Sequence, residues 1–325
     1  MTLRKLWPLF LLLLALILLY LLGPRVETDE RLWQLTLPED LDDYLARAEA
    51  RFHNITPDAE KTIIWAGAVG QQTEYAVVFL HGFSATRQEL APLPEQVAAR
   101  LGANLYLARL AGHGQTGAEM AQATVNYWLN DAQEAWALGR RLGKQVILIG
   151  NSTGATLATW LAAQPWATNI AALVLISPNF GPAAPGAGLL TIPWGEQLAT
   201  AIQGPERVWE PANEAQARYW TTRYPTRALL PMMALVKLMT RAPLEQIQQP
   251  ILTIYSPNDT VIDPGKIAPT LTRIGSEVQE VVTVPAGGQG SNHILAGDIC
   301  WPENTTPLAD KILTFLTSVV EAPTR

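Results

Sequence analysis

A chain of 325 residues with a formal charge of -6 and no Lys/Arg cluster excludes nucleic acid as a partner, because neutralising phosphates dominates that kind of binding. Hydrophobic residues make up 48% and charged residues 16%, the composition of a packed protein, and eleven tryptophans imply extra apolar surface. One principal domain carrying insertions is expected at this length. Cys300 is the only cysteine, so no intramolecular disulfide forms and the residue reads as a small buried hydrophobe.

Leu6 to Leu22 is an almost uninterrupted apolar run, preceded by Arg4 and Lys5 and followed by Glu27, Asp29 and Glu30. The run and its flanks predict a retained signal anchor over residues 1–25, a single transmembrane helix with its amino terminus in the cytoplasm and the body of the chain outside. A cleaved signal peptide, leaving a secreted or periplasmic protein, is the competing account. Residues 26–60 then read as a juxtamembrane linker with one short helix, in which Leu41, Tyr44, Leu45, Ala48 and Phe52 share a face.

Residues 61–325 carry the alternation of a larger unit. Strands are expected at Lys61 to Ala68, Ala76 to Leu80, Asn104 to Leu110, Val146 to Ile149, Ala171 to Ile176, Ile251 to Tyr255 and Glu280 to Val284. Helical segments at Glu95 to Leu101, Val125 to Leu142 and Ala155 to Ala163 lie between them. Strands and helices alternating at this spacing imply parallel βαβ units with helices on both faces of one sheet. Ligands of such sheets sit beyond the carboxyl ends of the strands. Between about 181 and 249 the alternation stops, and Trp194, Trp209, Trp220, Met232 and Met233 fall in an insertion. It is either extra core or a cap offering adaptable apolar surface, with Trp194, Met232 and Met233 as candidate substrate contacts.

The stretch from Val146 to Gly154 reads V-I-L-I-G-N-S-T-G, an apolar run of which three residues are β-branched, leading directly into a helical pattern. A strand therefore turns sharply into a helix at Ser152, with Gly150 and Gly154 allowing the close approach and the hydroxyl left exposed above the sheet. A serine hydroxyl needs a base to become nucleophilic, and the base needs a group that orients it. His53 lies near the amino-terminal linker, while His81 and His113 sit in glycine-flanked turns where bonding to nearby backbone is the expected role. His293 follows the last strand and is the only histidine downstream of Ser152, as the order serine, acid, histidine requires. For the acid, Asp259 stands three residues past one strand and Asp263 is the runner-up. The backbone N–H groups of Thr153 and Phe83 are the expected donors to an oxyanion.

His81-Gly82-Phe83, Gly112-His113-Gly114, Gly150-Asn151-Ser152-Thr153-Gly154, Asp259 and Ser291-Asn292-His293, in this order, resemble the α/β-hydrolase superfamily, and within it the capped carboxylesterase and monoacylglycerol-lipase-like serine hydrolases. The resemblance covers Thr73 to the carboxyl terminus. It implies an α/β fold with a mostly parallel central sheet, a helical cap insertion, and a Ser152, His293, Asp259 triad. It further implies hydrolysis of lipid-like acyl esters through an acyl-enzyme, with no metal or organic cofactor. Asn151 and Thr153 depart from the histidine and the methionine or leucine common beside the nucleophile in the lipase-like members. A peptidase or amidase of the same fold, or a membrane-tethered lipid-binding protein without catalysis, are the alternative readings.

Overall fold

The central strands are continuous apolar runs, which suits a sheet covered on both faces. In the computed structural model, which describes residues 7–288 and 290–320, seven strands form that sheet. They are β1 (Thr62–Ile64), β2 (Thr73–Leu80), β3 (Asn104–Leu107), β4 (Gly143–Asn151), β5 (Ile170–Ile176) and, further along the chain, Ile251–Tyr255 and Gln279–Thr283. Before β4 the helices are α1 (Trp7–Leu21), α2 (Leu41–Glu49), α3 (Leu93–Leu101), the short α4 (Gly117–Met120) and α5 (Val125–Leu142). A sixth, α6 (Thr153–Ala162), follows β4 directly.

The insertion contributes α7 (Gly195–Gln203), a two-stranded antiparallel ribbon of β6 (Glu206–Val208) and β7 (Arg223–Pro225), α8 (Glu214–Tyr219) and α9 (Leu229–Met239). The chain then supplies β8 (Ile251–Tyr255), α10 (Ile267–Leu271), β9 (Gln279–Thr283) and α11 (Pro302–Val320). The sheet order is β1-β3-β2-β4-β5-β8-β9. All neighbours are parallel except β1, which lies antiparallel on β3.

Because side chains alternate across a strand, each central strand feeds two cores. Val78, Leu80, Leu148, Leu173 and Leu175 face Trp128 of α5 and Leu157 and Trp160 of α6. Val77, Phe79, Ile147, Ile149, Val174 and Ile176 face Leu93 and Val97 of α3 and Ile312, Phe315 and Leu316 of α11. Each fully buried aliphatic or aromatic side chain contributes about 1.5–3 kcal/mol of hydrophobic stabilisation, so the sheet is pinned from both sides. The parallel register aligns the carboxyl ends: Leu80 lies opposite Gly150, Asn151 opposite Ile176, and Tyr255 opposite Thr283. The loops after β2, β4, β8 and β9 therefore emerge along one edge of the sheet, and the insertion covers that edge. Its helix α9 faces two ways. Leu235, Leu238 and Met239 join the main core, while Met233 packs with Leu190 and Ala199 inside the cap.

Several sequence expectations are corrected here. Residues 1–6 of the expected anchor lie outside the described residues; among those described, the apolar run forms α1, a helix of 15 residues, or about 22 Å against a hydrocarbon core of about 30 Å. No helix among the described residues is long and apolar enough to cross a membrane. The expected transmembrane anchor and the single-pass localisation built on it are thus overturned. The helix stops where Pro24 cannot continue it, and its carboxyl end is held instead by the cap: the Trp194 indole N–H donates to the Leu19 carbonyl at 2.9 Å and the Trp194 backbone N–H to Pro24 at 2.8 Å.

The segment read as a free linker lies along α5. The Trp33 N–H donates to Asn130 Oδ1 at 2.7 Å, and the Asn126 amide donates to the Arg31 carbonyl at 2.7 Å. Of the strand expected over Lys61 to Ala68 only β1 forms, as a three-residue edge. The final helix α11, unremarked in the sequence reading, closes the second face of the sheet.

Candidate active site

Ser152 occupies the single residue between β4 and α6, with φ of 52° and ψ of -117°. A non-glycine residue held at positive φ is strained by an order of 1–3 kcal/mol, and this strain persists because both flanks are over-determined. A Cβ on Gly154 would stand 1.9 Å from the Leu80 carbonyl oxygen, and one on Gly150 would stand 2.5 Å from the Gly154 oxygen. Helix and strand therefore approach as closely as bare backbone permits. The Ser152 N–H donates to the Ile176 carbonyl at 2.9 Å, tying the turn to the neighbouring strand.

Asp259, in the loop after β8, has a fully buried side chain. Its Oδ1 accepts the backbone N–H groups of Val261 at 2.8 Å and Ile262 at 3.0 Å, which leaves Oδ2 to meet His293 Nδ1 at 2.7 Å. That bond places the proton of a neutral imidazole on Nδ1 and leaves Nε2 as the nitrogen able to meet Ser152. The His293 backbone is fixed as well, its carbonyl accepting the Ser177 hydroxyl at 2.7 Å. Asp263, the other candidate acid, accepts the Gly265 N–H at 2.9 Å and caps the short turn before α10 instead.

The remaining histidines are engaged elsewhere. His81 is fully buried; its Nδ1 lies 2.9 Å from the Gly82 carbonyl and its Nε2 accepts the Leu110 N–H at 3.0 Å, and burial, with His113 and Arg109 nearby, pushes its pKa well below the ordinary value against the pull of the Gly82 carbonyl. His113 bonds the Ala111 carbonyl through Nδ1 at 3.1 Å, and burial pushes its pKa down to about 4. His53 is exposed. Thr153 opens α6, so its N–H is one of those without an intrahelical acceptor. The loop after β2 is shaped by the ring of Phe83, which packs edge-on against Tyr224, His113 and Trp128 with centroids 5.5, 6.0 and 6.2 Å away.

Ser152, His293, Gly82 and Phe83 line one cavity of about 690 Å³ between the strand ends and the cap. Its far wall is apolar, including Leu190, Leu229, Met232 and Met233. Of the three candidate substrate contacts, the two methionines thus reach the cavity. Trp194 does not; it lies at the start of α7 with its indole turned to the end of α1. Residues that sequence reasoning passed over also line the cavity, notably Glu89, Arg207 and Tyr224. Nothing in their local pattern marks them, because each arrives from a turn or ribbon whose position only packing decides.

A second cavity of about 710 Å³ lies between the amino-terminal segment and α5, remote from Ser152. There Lys61 sits between Asp131, 3.8 Å away, and Glu134, an ion-paired floor that explains its burial without any catalytic role.

A mostly parallel open sheet with a strand–serine–helix turn and a covered carboxyl edge defines an α/β protein whose reactive centre lies where the strands end. The chain belongs to the alpha/beta hydrolase family, whose model matches residues 77–298. It is 27% identical over 230 residues to the thermostable monoacylglycerol lipase of Bacillus sp. (strain H-257), a match spanning 70% of this chain and 85% of that protein. Among solved structures it resembles one of the metagenome-derived lipolytic enzymes LipS and LipT, with a TM-score of 0.66 and 22% identity over 81% of this chain and 99% of that one. It also resembles the monoglyceride lipase of Saccharomyces cerevisiae, with a TM-score of 0.60 and 12% identity over 80% of this chain and 90% of that one. At these identities the solved structures speak for the fold.

Proposed function

We propose that this protein is a serine ester hydrolase acting on acylglycerols or other lipid-like acyl esters through a Ser152, His293, Asp259 triad. The observation that carries the reading is the buried Asp259–His293 bond of 2.7 Å opening onto the cavity that the strained Ser152 also lines. Ser152 Oγ attacks the ester carbonyl carbon while His293 Nε2 takes its proton, and the carbonyl oxygen becomes an oxyanion facing the N–H groups of Phe83 and Thr153. Collapse of this intermediate breaks the bond to the alcohol oxygen, which receives the proton from His293. Ser152 is then left as an acyl ester. Water enters, gives its proton to His293 and attacks the acyl carbon; the second collapse returns the proton to Ser152 and releases the acid. Asp259 stabilises the imidazolium at each stage and holds its orientation.

The apolar cap wall favours an acyl chain as the group taken up beside Ser152, at about 0.8 kcal/mol for each buried methylene. The likeness to the Bacillus monoacylglycerol lipase supports the same substrate class. Hydrolysis of nitrophenyl esters and monoacylglycerols graded in chain length, with fluorophosphonate labelling mapped by peptide, tests the reading. Labelling at Ser152 with rising kcat/KM toward longer chains is expected. Full activity in Ser152→Ala, or cleavage of amides in preference to esters, would overturn it.

A further inference from the structure

Among the described residues, Glu89 is the one acidic side chain buried against the reactive centre that the mechanism above leaves unused. It stands seven residues past Gly82, ends the turn Arg87–Glu89, and is 1% exposed. Its Oε1 accepts the Gly82 N–H at 2.6 Å, directly before Phe83. A Cβ on Gly82 would stand 3.0 Å from Glu89 Oε2, 3.1 Å from Ser152 Cβ and 3.5 Å from Asn151 Nδ2. Only a bare glycine therefore separates this carboxyl from the nucleophile and the residue before it. The Asn151 amide is also fully buried, outside strict hydrogen-bond geometry with the described residues, and the Glu89 carboxyl is the group it interacts with.

An ionised carboxylate at this place would oppose the negative charge that develops on the substrate oxygen in the same water-poor cavity. A neutral carboxylic acid has the opposite character. Its carbonyl oxygen accepts the Gly82 N–H, and its hydroxyl can donate to the Asn151 side-chain oxygen once that amide is turned oxygen-first. We propose that Glu89 is a positioning residue that works as a neutral acid, tying the oxyanion loop at Gly82 to the nucleophile turn at Asn151 while keeping standing negative charge away from the oxyanion. The inference rests on the serine hydrolase reading. Burial pushes the Glu89 carboxyl up to about 8, against the opposing pull of the Gly82 N–H and the Asn151 amide.

The charged and titratable groups around it are few. Arg87, on the same turn, interacts with Glu95 of α3, and Asp298 stands near that pair. Cys300 faces Glu89 from the loop before α11, and burial pushes its thiol up to about 12, so it stays neutral. His293 borders the same cavity, and Arg207 and Glu210 do so from the cap.

Ionising Glu89 above about 8 should then depress turnover on the alkaline side. The test compares wild type, Glu89→Gln and Glu89→Ala by ester hydrolysis from about pH 6 to about pH 9.5, with thermal unfolding as the control for folding. Glutamine keeps both bonds without a titratable group, so Glu89→Gln should stay within about threefold of wild type at neutral pH and lose the alkaline fall. Glu89→Ala should lose about tenfold to a hundredfold in kcat with little change in KM. The proposal is overturned if Glu89→Gln keeps the alkaline fall at an unchanged midpoint, or if it is as impaired at neutral pH as Glu89→Ala. Wild type that neither hydrolyses esters nor labels at Ser152 would remove the enzyme reading and this inference together, whereas a labelled, active wild type leaves the pH profile of Glu89→Gln as the sole arbiter.

Discussion

Replacing Asp259 by asparagine changes one atom and separates two roles of the carboxylate. Oδ1 accepts two backbone N–H groups, at 2.8 and 3.0 Å, and Oδ2 faces His293 Nδ1 at 2.7 Å. The asparagine oxygen keeps the two backbone donors, because turning it would point an NH2 group at both. The NH2 then faces Nδ1 and demands an acceptor there, so the imidazole proton moves to Nε2 and no base remains for Ser152. The same loss of tautomer in a serine protease costs about ten-thousandfold in kcat, equivalent to roughly 5.5 kcal/mol of transition-state stabilisation. We expect a fall of about a thousandfold to ten-thousandfold in nitrophenyl ester hydrolysis, with KM changed little and labelling by fluorophosphonate slowed in proportion. Asp263→Asn is the matched control, since Asp263 only caps a turn, and should stay within about threefold. Asp259→Asn retaining more than a tenth of wild-type kcat would refute the tautomer argument and with it the role given to Asp259.

Other consequences are equally direct. Gly154→Ala puts a methyl group 1.9 Å from the Leu80 carbonyl oxygen, an overlap with backbone that neither element can relieve; loss of soluble, folded protein is expected, and normal thermal unfolding would contradict the packing. Met233→Ala removes a side chain that is 4% exposed and borders the cavity, so unfolding should cost about 2–5 kcal/mol less while the chain-length profile shifts toward bulkier acyl groups. An unshifted profile would mean that the acyl chain lies elsewhere.

Stability should also depend on pH from both sides. Glu89 has its folded pKa raised from 4.5 to about 8, so its contribution is fully present below 4.5 and is lost as pH rises through about 8. His113 is lowered from 6.5 to about 4, so its contribution is present above 6.5 and is lost as pH falls through about 4. Thermal unfolding across pH should show Glu89→Gln flattening only the decline between 4.5 and about 8.

What local pattern determined by itself was the reactive turn and the frame around it. A β-branched run meeting G-x-S-x-G at a helical segment points to a strand, a strained serine and a helix, since glycines at both flanks permit the close approach that such a turn requires; Ser152 at φ of 52° is that expectation realised. The strands β2, β4, β5 and β8 were legible because burial on both faces removes polar residues from them. The edge was not: β1 is three residues long because it pairs on one side only, and apolar periodicity says nothing about which end of a sheet a segment reaches.

Only tertiary structure set Asp259 against His293 and Asp263 in a turn cap, although the two stand four positions apart on one loop, because that difference turns on where backbone N–H groups point. It likewise sent Trp194 outward to the end of α1 and Met232 and Met233 inward, although all three read alike as apolar residues of an insertion. The apolar run at the amino terminus has the composition of a membrane span, but Gly23 and Pro24 end its helix, which covers 15 of the described residues. Glu89 was the least legible of all. An acidic residue in a polar turn is unremarkable until the fold carries it beside Gly82, where long-range packing supplies the burial that pushes its pKa up.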